Sequence, residues 1–366
     1  MKKAPAIEPG QGEKPSTKDH LSPTPLDQKN QGLMLPQRGR GRLSEADQRH
    51  YDDQLRQWCK GIVEINSTLD FKVSSRGWCY ILEDHGLSKG DFDKAERLIN
   101  TCRKNGHLSV DICCEDDGRQ AEHLERVVDV PPAAFAQGWI DYLLSSVHRS
   151  YCPISFWDDL DVYVEMTVEK IDLKSLFSSE CKPFHIPLTN VSGWNDINSR
   201  VAIMRRFAYW ERRGKRCVLL HCGDHDCGGL HISEFLRSNL NDLKKTAGWS
   251  PDNLHVDRFG LNADFIRDNR LTWIDNLITG SGGDLADPDH PDHFKPYVQS
   301  YLHEFGARKV EANALVVRKE AGRKSCRDAI LKYVPQTAVA KFERRLKLRQ
   351  ARAHREIVQL MSEAAP

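Results

Sequence analysis

Two aspartates, Asp224 and Asp226, close an apolar run at Gly223-Asp-His-Asp-Cys-Gly-Gly229. In an extended chain, side chains at i and i+2 point the same way, so both carboxylates project together from the carboxyl end of a strand. That edge is where open α/β sheets place their ligands. Carboxylates held close repel each other unless a cation lies between them. Mg²⁺, a hard ion that takes oxygen ligands, suits such a place. The bland alternative is an acidic turn, with both aspartates solvated or one capping the next helix. His221, Cys222, His225, Cys227 and His231 crowd the same turn, but structural zinc takes spaced ligand pairs, which this arrangement lacks.

A third acid joins the pair. Glu169 follows a strand-like run at 161–166 and precedes a helix-like stretch at 170–177. If that strand lies beside the one ending at Asp224, then Glu169, Asp224 and Asp226 face one point. They would hold one or two Mg²⁺ directly or through water, and such an ion polarises a phosphate and neutralises charge in a transition state. Glu165 competes for this role but lies earlier, inside the strand rather than at its ligand edge.

The elements that must position these acids are legible from 150 to 335. Strands are expected at 161–166, 184–187, 217–221 and 254–259. Helices are expected at 170–177, 197–212 and 232–247. Strands alternating with helices imply a parallel sheet with right-handed crossovers. A Gly-containing turn at 190–195, with Trp194 and Asn195, follows the second strand. The stretch 280–291 reads as a loop; its acids and histidines, Asp287 to His293, form a possible second metal patch that a Pro-rich loop also tolerates. Arg258 and Lys295 are weaker candidates for backbone contacts.

Upstream, residues 46–135 read as a small helical domain. A helical stripe at 51–66 carries Leu55, Trp58, Cys59, Ile62 and Val63. A short helix opens at Ser74-Ser75-Arg76 and ends near Gly86; a third runs from about Lys89 to Asn105, and 108–113 reads as a strand. This is the layout of a winged helix-turn-helix. Lys94, Arg97, Arg103 and Lys104 on the third helix fit contact with a DNA groove or backbone, or simply a charged solvent face. Residues 1–45, rich in Pro, Gly, Lys, Gln and Ser, are expected to be a disordered tail ending in Arg38-Gly-Arg-Gly-Arg42. Residues 336–366 are expected to form a basic helix bearing Lys341, Arg344, Arg345, Lys347, Arg349, Arg352 and Arg355.

Composition narrows the class. Charged residues make up 29% and the net charge is +1, so no single-sign field dictates a partner. No run approaches the roughly 18 apolar residues of a membrane span. No apolar segment follows Met1-Lys2-Lys3, so a cytoplasmic, nucleoid-associated protein is expected. The 11 cysteines are odd in number and scattered, the pattern of reduced thiols rather than a disulfide framework.

Val168-Glu-Lys170 together with Gly223-Asp-His-Asp-Cys-Gly-Gly229 resembles the Toprim fold, which carries one glutamate and an Asp-x-Asp pair. The arrangement is similar to the A subunit of topoisomerase VI and the meiotic double-strand-break transesterase, including their small stand-alone relatives. These place a winged helix before the Toprim domain. Over roughly 50–335 the resemblance implies an α/β, Rossmann-like, mostly parallel sheet preceded by a winged-helix domain. Ser75-Arg76-Gly77-Trp78-Cys79-Tyr80 then aligns Tyr80 with the family's reactive tyrosine and Arg76 with its preceding arginine. Lys309-Val-Glu-Ala-Asn-Ala-Leu315 is similar to a late Toprim segment. Departures are Cys227, where proline is frequent, Asn313, where aspartate is usual, and a single tyrosine where two aromatics adjoin.

The resemblance implies Mg²⁺-dependent cleavage of double-stranded DNA. Tyr80 would attack a phosphodiester, Arg76 would hold the phosphate, and Glu169, Asp224 and Asp226 would hold the metal. It further implies a homodimer, with one protomer's tyrosine meeting the other's metal. No Gly-x-x-x-x-Gly-Lys-Ser/Thr occurs, so any ATP-driven step would need a separate ATPase subunit. Two rivals stand beside this: a Toprim nuclease using water, and a DNA-binding protein without catalysis.

Overall fold

The computed structural model describes residues 33–39, 41, 43–114, 125, 127–191, 197–279 and 282–364. The turn with Trp194 and Asn195, much of the N-terminal tail, and both Arg40 and Arg42 lie outside the described residues.

Four helices come first: α1 (Glu45–Ser67), α2 (Ser75–Glu83), α3 (Phe92–Lys104) and α4 (Pro132–Ser145). Ser44 and Ser74 start α1 and α2, each accepting a backbone N–H three residues on, the usual service of an N-cap serine. Strands and helices then alternate: β1 (Val162–Val168), α5 (Ile171–Cys181), β2 (Leu188–Asn190), α6 (Ile197–Glu211), β3 (Arg216–Cys222), the short α7 (Cys227–Leu230), α8 (Ile232–Asn241), α9 (Lys244–Ala247) and β4 (His255–Arg258). Helices α10 (Ala263–Asp268), α11 (Pro296–Phe305), α12 (Lys319–Leu331) and α13 (Thr337–Ala364) complete the chain.

The strands form one sheet in the order β2-β1-β3-β4, every pair parallel. β1 is buried along its whole length, which is why it reads as a nearly unbroken apolar run. Its alternate residues serve opposite layers. Tyr163 and Glu165 meet Trp210 and Arg206 of α6, whereas Met166 touches Cys181 of α5 and Cys326 of α12. The chain steps from β1 outward to β2, then back across β1 to β3 and on to β4. Right-handed crossovers therefore put α5 on one face and α6 and α8 on the other. The reversal falls between β1 and β3, and a doubly wound sheet opens its ligand crevice at such a point.

Three expectations need correction. Residues 184–187 are not the second strand. Lys182–Phe184 is a 3₁₀ turn, His185 takes a left-handed φ of 52°, and pairing begins only at Leu188. Residues 108–113 are not a wing strand either. Val110–Ile112 is a 3₁₀ turn whose carbonyls accept from Trp78 of α2 and Arg103 of α3, and the one bridge nearby, Val73 to Cys113, is isolated. Alternation would put Leu108, Val110 and Ile112 on one face, yet Val110 is 63% exposed while the other two are buried. What the described residues form there is a helical layer. That layer has no core of its own, since Trp58, Trp78, Tyr80 and Ile99 join the same apolar cluster as β1 and β3. Finally, the tail is not loose up to residue 45: Leu33 and Leu35 pack on this cluster and the Leu33 N–H donates to the His85 carbonyl.

Candidate acid site at the sheet switch point

The register of β1 and β3 brings the acids together. Val168 is opposite Cys222, and the Glu169 N–H donates to the Cys222 carbonyl, so the residues leaving both strands stay level. The Asp224 N–H then donates to Glu169 Oε2 at 3.0 Å. Gly223 keeps this corner open: a Cβ there would lie 2.7 Å from His221 Nε2 and 2.9 Å from Glu169 Oε2, so one of those side chains would have to shift. Asp226 turns into α7 as its cap, accepting the Gly229 N–H at 2.7 Å, so the capping role and the ligand-edge position coexist. A side chain on Gly229 would overlap the Asp224 carbonyl.

Lys170 is the cation that bridges two of the acids. Its ammonium lies 3.1 Å from Glu169 Oε1 and 3.0 Å from Asp224 Oδ2. Asp224 Oδ1 accepts the Ala312 N–H at 2.7 Å. Beneath the loop, Arg258 donates to the carbonyls of Asp224 and Leu261 and to Asn262, so it holds backbone rather than facing solvent. Burial, reinforced by the charge of Glu169, pushes the Asp224 carboxyl up to about 7. Burial also raises Asp226. Burial acts on Glu169 in the same sense, but Lys170 and the Asp224 N–H outweigh it and hold that carboxyl below its usual range. Burial opposes the charge of Lys170, yet Asp224 and Glu169 hold its ammonium protonated well above the ordinary lysine range.

These residues fit a hard divalent cation in the chemistry of their donors. The donors are carboxylate oxygens, and two of the three carboxyls are raised by burial; Lys170 pairs with Glu169 and Asp224, and Arg258 and Lys309 add positive charge near Asp226. Among the described residues, no three acid, histidine or cysteine side chains already converge at ligand distance. The Lys170 ammonium sits where the Glu169 and Asp224 carboxylates meet, and a metal held by Glu169, Asp224 and Asp226 would replace it. The histidines and cysteines of the turn diverge instead: His221 bonds Thr167, His225 bonds Tyr301, and Cys222 and Cys227 enter separate apolar clusters. Glu165 is committed elsewhere, paired two-pronged with Arg206 and accepting the Tyr163 hydroxyl.

Arg76 and Tyr80, one helical turn apart, do share a face of α2, and both point at Glu311. The Tyr80 hydroxyl donates to Glu311 Oε2 at 2.5 Å, and Arg76 Nε lies 3.9 Å from the same oxygen. The next residue, Ala312, supplies the N–H that holds Asp224. Tyr80 therefore stands beside the acid site of its own chain. It is fully buried, edge-on to Phe92 with Lys89 above its ring, and burial followed by the charge of Glu311 drives its hydroxyl far above the usual tyrosine range. Of the four α3 cations, Lys94 pairs with Asp91 and Arg103 donates to Asn100 and to the Val110 carbonyl, while Arg97 and Lys104 are exposed.

Two members of the site do not stand out by residue type or spacing. Glu311 lies within the segment at 309–315, where nothing local marks it for a role. Asp172, fully buried, accepts from Ser74 Oγ at 2.7 Å, from the Ser74 N–H and from the Asn313 amide. It ties the start of α2 to the segment at 312–318. It also explains Asn313: an amide donates to Asp172, whereas an aspartate would repel it.

Comparison of the chain with protein-family models, curated proteins and solved structures returns no match. The fold defines the class, a doubly wound parallel α/β protein. Among the described residues no helix is long and apolar enough to cross a membrane.

Proposed function

We propose that the protein is a divalent-metal-dependent enzyme that cleaves double-stranded DNA by hydrolysis, with water rather than Tyr80 as nucleophile. The supporting observation is the group of Glu169, Asp224 and Asp226 at the β1/β3 switch point, two of them raised by burial and two bridged by Lys170. When bound, Mg²⁺ would supply charge neutralisation at the phosphate and acidify a water molecule. The chain's own residues prepare that place. The Ala312 N–H orients Asp224, the Asp224 N–H orients Glu169, and the Gly229 N–H orients Asp226. Lys170 keeps the acids together until the cation arrives.

The hydrolytic reading is favoured over transesterification because a tyrosine with no exposed surface, bonded to a carboxylate, is poorly placed to attack a phosphate. One observation keeps the tyrosine reading as the second: Arg76 and Tyr80 converge beside the acids. A homodimer and a separate ATPase subunit belong to that second reading.

Incubation with supercoiled DNA and Mg²⁺, then denaturation with and without protease, separates the cases. Hydrolysis predicts cutting that survives Tyr80→Phe, leaves no covalent adduct, and disappears in an Asp224→Ala, Asp226→Ala variant. A protease-sensitive adduct that Tyr80→Phe removes would establish the tyrosine reading. Cutting that survives removal of both aspartates sinks both. Salt-sensitive binding without Mg²⁺-dependent cutting would leave a non-catalytic DNA-binding protein.

A further inference from the structure

A cleft of about 660 Å³ opens along α5, the helix that follows Glu169, and is lined among others by Lys72, Lys174, Ser175, Ser178, Ser179 and Lys182. Its long wall is one face of α5. Positions 171, 174, 175, 178, 179 and 182 recur at helical spacing, so they form a single stripe. On a helix packed into a core, such a stripe is solvated by default. Here it is concave and carries lysines and serines.

The electrostatics are one-sided. Asp70, the carboxylate of the lining, is neutralised by the two-pronged Arg323, at 2.8 Å for each oxygen. Among the described residues no ion pair engages Lys72, Lys174 or Lys182. Ser175 Oγ accepts the Lys72 N–H at 3.2 Å, which leaves its own hydrogen free to donate outward. Ser178 and Ser179 are exposed. Ammonium groups interleaved with hydroxyls are the side chains that bind phosphate oxygens without reading sequence. A pocket for a small organic ligand would be more enclosed and apolar.

Position gives the cleft its meaning. Ile171, its first lining residue on α5, is two residues beyond Glu169. From Ile171 to Lys182 the helix rises about 16 Å, a span of roughly five phosphates along one strand of a duplex.

We propose that this cleft binds the phosphate backbone of double-stranded DNA and leads one strand to the acid site. The inference deepens the proposed function and rests on it for the identity of the polyanion. Its test is independent of cutting.

Fluorescence anisotropy of a short labelled duplex with the full chain in EDTA, across a salt series, reads the interaction. A Lys72→Gln, Lys174→Gln, Lys182→Gln variant should bind at least about tenfold more weakly at low salt. Its salt slope should be shallower by roughly 0.9 for each phosphate no longer neutralised, on the order of two to three in all. Lys60→Gln, Lys244→Gln, Lys245→Gln is the control and should bind as the unmodified chain does. All six lysines are surface groups, and matched thermal melts verify the folds. Unchanged affinity and slope in the cleft variant overturn the proposal, as does equal weakening in both variants. Displacement of the duplex by inorganic phosphate at constant ionic strength would also overturn it, making the cleft a small-anion site. If the cleft variant fails to bind while the unmodified chain never cuts DNA, the cleft stands and the hydrolase reading falls.

Discussion

Replacing Asp224 with asparagine should make the protein more stable and inactive. The folded-state pKa of this carboxyl, about 7, exceeds its ordinary 3.8. Between those values the native chain keeps a proton that the unfolded chain has released. Stability therefore falls as pH rises through this window, and the decline is complete above about 7. Three units correspond to about 4 kcal/mol at 1.36 kcal/mol per unit, an upper bound for a group linked to both Glu169 and Lys170. Asparagine preserves the Oδ1 acceptor for the Ala312 N–H and removes the charge, but it weakens the hold on Lys170. A net gain of about 2 kcal/mol at pH 8 and almost none at pH 4 is expected. With an unfolding entropy near 0.7 kcal/mol per kelvin for a chain of this size, the melting temperature should rise by about 3 °C. Thermal melts in EDTA from pH 4.5 to 8.5 measure it. Were the variant to melt below the unmodified chain at pH 8, or by a margin that ignores pH, the idea of a charge held against its burial would be wrong. Added Mg²⁺ should raise the melting temperature of the unmodified chain and leave the variant unmoved.

Three further perturbations probe the supports of the site. Asn313→Asp sets a carboxylate against buried Asp172 and should cost about 3 kcal/mol or more at neutral pH, recovering in acid, as read by urea titration at pH 7.5 and 5. Arg206→Ala strands buried Glu165 and should cost about 3–5 kcal/mol, whereas Arg206→Ala with Glu165→Leu should recover much of it; equal destabilisation in both would refute the pairing. Gly77→Ala drives a methyl to 2.7 Å from Asp172 Oδ2 and 2.9 Å from Val73 Cβ, and the overpacking should cost about 1–3 kcal/mol in a thermal melt.

What can be read from the sequence follows physical range. β1 and β3 are legible because a parallel strand buried on both faces is a continuous apolar run, and the glutamate and aspartates at their ends follow from where those runs stop. Glu169 meets Asp224 because Val168 and Cys222 share a register, which spacing alone does not fix. β2 is misplaced by the sequence pattern because Phe184 and Ile186 are apolar while the left-handed turn at His185 is invisible in composition. The strand expected at 108–113 is misplaced for a related reason: Leu108 and Ile112 are buried four residues apart with Val110 exposed between them, and a short run cannot reveal which period applies. Arg76 and Tyr80 do share a helix face. Their common partner, Glu311, is 231 residues beyond Tyr80, and no local pattern reports such a pairing.

That distance has a consequence for the chain as it is made. Synthesis proceeds from the N-terminus at about 5–20 residues per second, and folding follows behind it. A nascent chain that has reached β4 already carries Glu169, Asp224, Asp226 and Lys170. It still lacks the Ala312 N–H that orients Asp224 and the Glu311 carboxylate that engages Tyr80 and Arg76. The acid site is thus completed only late in translation, and chains released before Glu311 carry the acids without the latch that aligns them.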